Sequence, residues 1–190
     1  MRILYYRLRN IIEIILYNIF YRLCSRSVWK GILIPIQKDT NIKGIQKLDN
    51  FRGITLSPII SKVFEHSILF LFGKYLKSND RQFGFKQNVG CANAIFCVRN
   101  VVDYFVENDS TVNMCCLDIS KAFDRVNHNC LFYKLLKLSL PLCVINVLIN
   151  WYSKLFSSIR WGCARSEEFR IACGVRQGGV LSPVLFCVYS

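Results

Sequence analysis

No Cys-x-x-Cys pair occurs among the ten cysteines of this 190-residue chain, and its two histidines, His66 and His128, stand at no ligand spacing to a cysteine pair. That excludes the usual patterns of a structural zinc site. There is no clear secretory signal either, which argues against a disulfide framework. The cysteines are therefore expected to be reduced, intracellular and used as small hydrophobes. A clean apolar run of about 18 residues is also missing, because Arg7, Arg9, Glu13 and Asn18 interrupt the stretch from Ile3 to Leu23. A membrane span is excluded there. Acids are few: 12 Asp and Glu stand against 25 Lys and Arg, a formal net charge of +13.

What is present is a chain that is 53% hydrophobic, enough for the core of one domain or of part of a larger one, with apolar surface left over for partners. The charge is uneven. Residues 1–100 hold 16 basic and 5 acidic side chains, residues 101–190 only 9 and 7. A basic half joined to a nearly neutral half suits a protein that grips a phosphate backbone with one part and does metal chemistry with the other. A composition inflated in Lys, Asn and Ile by an AT-rich genome accounts for the same count. Leu4, Leu8, Ile11, Ile12, Ile15 and Ile19 recur at helical spacing. They predict an amphipathic helix over 3–23, inside a lead-in region at residues 1–28, that packs on the next segment or lies on a membrane surface.

Two stretches carry the chemistry. In Cys115-Cys116-Leu117-Asp118-Ile119-Ser120-Lys121-Ala122-Phe123-Asp124, an apolar run from Val112 to Leu117 predicts a central strand that delivers Asp118 at its end. A carboxylate there is either a solvated strand cap or a ligand for a hard cation such as Mg²⁺, which takes a few carboxylates plus substrate phosphates. Further on comes Gly174-Val175-Arg176-Gln177-Gly178-Gly179-Val180-Leu181-Ser182-Pro183, whose glycines let backbone approach another group closely.

Around them the spacing predicts a strand over Trp29–Lys38 and a loop over Asp39–Asn50. A helix over Ser57–Lys77 should bury Ile59, Ile60, Val63, Phe64, Ile68 and Leu71, with Lys62 and Glu65 as an ordinary ion pair. A second helix over Cys91–Glu107 should turn Ala94, Ile95, Val98, Val101, Val102 and Phe105 inward. Helices over Leu131–Leu140 and Leu142–Phe156, separated by Pro141, are followed by short paired strands at Ser158–Trp161 and Glu168–Ala172. Ser182 and Pro183 open a last helix. His128 reads as a structural hydrogen-bonding residue. Phe83 and Phe85, in Gln82-Phe83-Gly84-Phe85, read as core aromatics.

Together the two motifs resemble motifs A and B of reverse transcriptases, most nearly those of non-LTR (LINE-like) retrotransposons. Trp29-Lys30, Ile34-Pro35-Ile36-Gln37-Lys38 and Asn50-Phe51-Arg52-Gly53-Ile54-Thr55-Leu56 resemble the finger pattern of that family, with Gly53 where the family has Pro, a change expected to loosen a turn. The resemblance implies an α/β fold: fingers at residues 29–110 and a partial palm at residues 111–190, with helices on an incomplete antiparallel sheet. It implies Asp118 as a catalytic, metal-holding acid and the Ile119 carbonyl as a further ligand, with Mg²⁺ or Mn²⁺ as the ion. It implies Lys38, Arg52, Phe123, Gln177 and Gly178 at the incoming nucleotide, Phe123 as the steric gate, and Gly179 against the nucleic acid. Partners would be an RNA template, a DNA primer, deoxynucleoside triphosphates and the remainder of a polyprotein, in the nucleus or cytoplasm, with no stable membrane partner.

One departure stands out. The aromatic-Ala-Asp-Asp motif of the family occurs nowhere in these 190 residues. The chain is therefore expected to be a truncated polymerase with little or no activity alone. The alternative is a non-catalytic, nucleic-acid-binding remnant of a retroelement.

Overall fold

The β-branched run after Trp29 has the composition of a strand, and it forms β1 (Lys30–Gln37). The computed structural model describes residues 29–38 and 47–190; the helix expected over 3–23 and most of the expected loop at Asp39–Asn50 lie outside them. A short 3₁₀ turn, Leu48–Asn50, leads into β2 (Phe51–Leu56), which pairs antiparallel with β1. Gly53 faces Pro35 inside this ladder, so it sits in a strand and not in the turn expected for it. A Cβ at Gly53 would stand 3.0 Å from the Leu33 side chain, so a larger residue there would require that leucine to shift by a few tenths of an ångström.

The other edge of β1 pairs parallel with β3 (Phe156–Trp161). A chain reversal at Gly162, φ +58°, returns β4 (Ala164–Arg165) and then β5 (Phe169–Arg170) antiparallel along β3. The sheet therefore runs β2-β1-β3-β4 with β5 also beside β3, and it is mixed where an antiparallel one was expected. A parallel pair needs a long crossover, and residues 57–155 supply it through four helices: α1 (Ile59–Phe72), α2 (Cys91–Glu107), α3 (His128–Lys137) and α4 (Leu142–Ser153). A fifth, α5 (Ser182–Tyr189), begins at the expected Ser-Pro pair.

The core is built from Trp29, α1, α3, α4 and α5, with Phe64, Leu135, Leu148 and Leu185 nearly fully buried. The rings of Trp29, Phe64 and Trp151 meet edge-on or tilted at 5.1–6.3 Å, a geometry that suits the aromatic quadrupole. The buried face of α1 is the expected one only in part: Phe64 and Ile68 are buried and Leu71 packs half-buried on the core, but the face is rotated. Ser61, Phe64, Glu65, Ile68 and Phe72 point inward, while Ile59 is 81% exposed and Val63 and Ile60 are exposed too. Helical spacing alone permits either face; a buried polar partner, described below, selects this one.

Three further expectations are corrected. Val112–Leu117 forms no strand: residues 111–119 have no regular structure and no ladder partner among the described residues. A strand is stable only against another strand, so an apolar alternation states a propensity and not a partner. Helix α2 has the expected bounds but buries none of its residues; Ile95, Val98, Val101 and Phe105 are exposed. Eight of the nine described cysteines are exposed and only Cys187 is buried, with no disulfide among them, so they do not serve as core hydrophobes. No helix among the described residues is long and apolar enough to cross a membrane.

Candidate functional site

The stretch from Gly174 to Pro183 is held on three sides. Its first residues run beside the end of the Asp118 motif: Gly174 N–H donates to the Val126 carbonyl at 2.8 Å and Val175 N–H to that of Phe123 at 2.8 Å. Gly174 has φ +87°, and a Cβ there would stand 2.9 Å from the Asp124 carbonyl oxygen. Only glycine combines that backbone with that proximity. His128 completes the contact, its Nε2 2.8 Å from the Gly174 carbonyl, in keeping with the structural role expected of it.

Arg176 then turns into the core. It is 6% exposed; its guanidinium donates to the Trp29 carbonyl and, at 3.4 and 3.5 Å, to Ser57 and Ser61 Oγ, and it lies over the Trp151 ring. Glu65 is its counter-charge. That carboxylate is 1% exposed, accepts Leu181 N–H at 2.8 Å and meets Ser61 Oγ at 3.4 Å, so it does not serve as the surface partner of Lys62. Burial pushes the Glu65 carboxyl up, while the Leu181 hydrogen bond and Arg176 pull it back. Burial likewise lowers Arg176, against the pull of Glu65. These polar groups explain why α1 presents Ser61 and Glu65 to the core, since a buried charge needs hydrogen-bonding partners.

The next residue, Gln177, faces the other way. Its carbonyl accepts Thr55 N–H at 2.7 Å, tying the loop to β2, and its Nε2 donates to Asp124 Oδ1 at 3.2 Å. Gly178, φ +101°, rests against the Thr55 carbonyl, 3.0 Å from where a Cβ would be. The result is a cleft of about 740 Å³ between the β1–β2 hairpin and the two motifs. Lys38, Asp49 and Arg52 line it from the hairpin, Lys121, Phe123 and Asp124 from the first motif, and Gln177, Gly178 and Pro183 from the second. Lys38 donates to the Asp49 carbonyl at 2.7 Å. The Arg52 side chain makes no ion pair among the described residues.

Five of the residues singled out from sequence thus share one cavity: Lys38, Arg52, Phe123, Gln177 and Gly178. The other three do not line it. Asp118 and Ile119 lie on the irregular, exposed segment 111–119, and with no ladder to hold that segment their side chains stand outside the cleft. Gly179 is buried, its Cα turned toward Ser182 and Glu65. Phe123 is half-buried, stacked on Phe186 at 4.8 Å and edge-on to Phe85 at 5.7 Å. Phe85, expected in the core, is 57% exposed and lines the cleft, because its φ of +57° turns it out of the loop.

Sequence reasoning assigned no role to Lys121, Asp49 or Asp124. Asp124 carried a signal, an acid closing the same ten-residue motif. Lys121 and Asp49 carried none, since their meeting depends on the left-handed backbone at Lys121, φ +54°. Among the described residues no group of three or more His, Cys, Asp or Glu is placed to hold a metal.

Residues 36–190 match the family described as reverse transcriptase (RNA-dependent DNA polymerase). A probable RNA-directed DNA polymerase from transposon X-element of Drosophila melanogaster is 33% identical over 167 residues, which is 85% of this chain and 18% of that protein. The RNA-directed DNA polymerase from mobile element jockey of Drosophila funebris is 33% identical over 75% of this chain and 16% of its own length. The Pol polyprotein of the type-2 retrotransposable element R2DM of Drosophila melanogaster is 28% identical over 72% of this chain. The chain spans less than a fifth of the length of these curated relatives.

Proposed function

Because the chain belongs to the reverse transcriptase (RNA-dependent DNA polymerase) family, we propose that it supplies the nucleotide-binding part of an RNA-directed DNA polymerase of the non-LTR retrotransposon kind. Residues 29–110 act as fingers and residues 111–190 as part of the palm. The reaction is addition of a deoxynucleotide to a primer 3′-hydroxyl on an RNA template. The observation that carries this reading is convergence: Lys38, Arg52, Phe123, Gln177 and Gly178 come from three distant stretches of sequence and line one cleft.

Each group has a task there. Arg52 offers a planar fork of donors to triphosphate oxygens, and Lys38 adds a point charge beside it. The Phe123 ring, held against Phe85 and Phe186, is the group that would crowd the 2′-hydroxyl of a ribonucleotide. Gln177 and the Cβ-free Gly178 let the loop lie against base and sugar, with Gly179 supporting the loop from behind. Enzymes of this family work with divalent metal ions; of the groups that would hold Mg²⁺ or Mn²⁺, Asp124 lines this cleft, while Asp118 and the Ile119 carbonyl lie outside it and do not join Asp124 in one ligand set. When bound, such ions neutralise charge on the attacking and leaving oxygens.

Calorimetric titration with dATP and Mg²⁺ tests the reading. The chain binds dATP, and Arg52→Ala weakens binding about tenfold, the loss expected for a hydrogen bond to a charged group. No dATP binding, or binding indifferent to Arg52, refutes it. A second reading, nucleic-acid binding without catalysis, is favoured by the position of Asp118 and Ile119 outside the cleft. Primer extension with Mg²⁺ separates the two: template-dependent synthesis by this chain rules out the second.

A further inference from the structure

The cleft's basic groups are not idle. Lys121 Nζ lies 2.6 Å from Asp49 Oδ1, joining the first motif to the β1–β2 hairpin across the cleft mouth. Lys38 Nζ bonds the carbonyl of the same Asp49 at 2.7 Å. One acidic residue thus engages two of the three cations that line the cavity, leaving Arg52 as the third; the other acid of the lining, Asp124, faces Gln177. The Lys121–Asp49 pair is mostly in solvent, with side chains 56% and 71% exposed. Exposed pairs are weak and exchange readily. Lys121 reaches the cleft only because its backbone is left-handed, φ +54°, an uncommon conformation for a side chain of its length.

We propose that Asp49 is a placeholder for phosphate: it holds Lys121 across the cleft mouth until a triphosphate arrives, then yields Lys121 to it, which makes Lys121 a third phosphate-binding group beside Lys38 and Arg52. This rests on the nucleotide-binding reading above and adds two residues to it. A triphosphate carries several negative charges against the single charge of Asp49, so it outcompetes the carboxylate for the lysine; the displaced carboxylate is left facing water. Asp49 then lowers the affinity for anions generally and weakens retention of those with a single charge. The Lys121 ammonium also holds the Asp49 carboxyl below the usual range, so the placeholder stays ionised at neutral pH.

The test is calorimetric titration of the full chain and its variants with inorganic tripolyphosphate and, separately, dATP with Mg²⁺. Asp49→Asn binds both about threefold tighter, and Lys121→Ala about threefold weaker, the scale of an exposed charge pair. In the double variant the gain from Asp49→Asn disappears, because no lysine remains to be released. Asp103→Asn, which removes an acid on α2 remote in sequence and paired with Arg99, leaves affinity unchanged and controls for net charge. Asp49, Lys121, Asp103 and Arg52 are all exposed, and unchanged melting temperatures confirm intact folds. Affinities of Asp49→Asn and Lys121→Ala equal to wild type, with Arg52→Ala still weakened, overturn the placeholder and leave the nucleotide site standing. A gain from Asp49→Asn that persists without Lys121 also overturns it. Absence of any triphosphate binding overturns both.

Discussion

Replacing Glu65 isolates the interaction that sets the second motif in place. Glu65→Ala takes away the acceptor of Leu181 N–H, 2.8 Å distant, and the charge nearest a guanidinium that is 6% exposed and whose Nε has no hydrogen-bond partner among the described residues. An orphaned buried N–H costs about 1–3 kcal/mol. Glu65 and Arg176 form no contact ion pair, so the orphaned donor dominates, and the expected loss is about 1–3 kcal/mol, or roughly 2–12 °C in melting temperature for a chain of this size. Glu65→Gln keeps an acceptor for Leu181 and loses only the charge, so it should fall between alanine and wild type. The two variants also differ from wild type in pH dependence. Burial raises the Glu65 carboxyl above its ordinary value of 4.5. Between that value and the raised one, the folded chain retains a proton the unfolded chain has released, so wild-type stability declines as pH rises through this window and levels off above it. Glu65→Gln lacks that decline. Urea unfolding monitored by tryptophan fluorescence at several pH values measures both effects. Stability of Glu65→Ala equal to wild type would refute Glu65 as the anchor of the second motif.

Two other perturbations probe the surroundings. Gly174→Ala forces a side chain into φ +87° against the Asp124 and Phe123 backbone; it should cost about 2 kcal/mol or more in chemical denaturation and weaken dATP binding in parallel, since it pries the two motifs apart. A water-soluble maleimide should label the eight exposed described cysteines in the native protein and reach Cys187, buried in α5, only after denaturation, read by peptide mass spectrometry.

Much of the site was legible in advance because its residues are chemically specialised. Lys38 follows β1 and Arg52 stands inside β2, in stretches that resemble the family's finger pattern, and Gln177-Gly178 demands backbone freedom that only glycine supplies. His128 was read as structural, and its bond to Gly174 bears that out. The Lys121–Asp49 pair was illegible, because it joins residues 72 positions apart through a left-handed backbone that nothing in the local sequence signals. Phe85 was misplaced for the same reason.

The amino-acid order alone settled the family, the five described helices and the strand after Trp29, and through the family resemblance it named five of the groups that meet in the cleft, because periodicity and motif chemistry are local properties. Tertiary structure decided which helix face is buried, whether an apolar run finds a ladder, and which carboxylate reaches the cavity. Helix α1 turns Ser61 and Glu65 inward because Arg176, 111 residues beyond Glu65, needs partners there. Val112–Leu117 stays unpaired because no described strand lies beside it. In each case the outcome depends on what stands opposite, and opposition in space is a property of the folded chain and not of any window of its sequence.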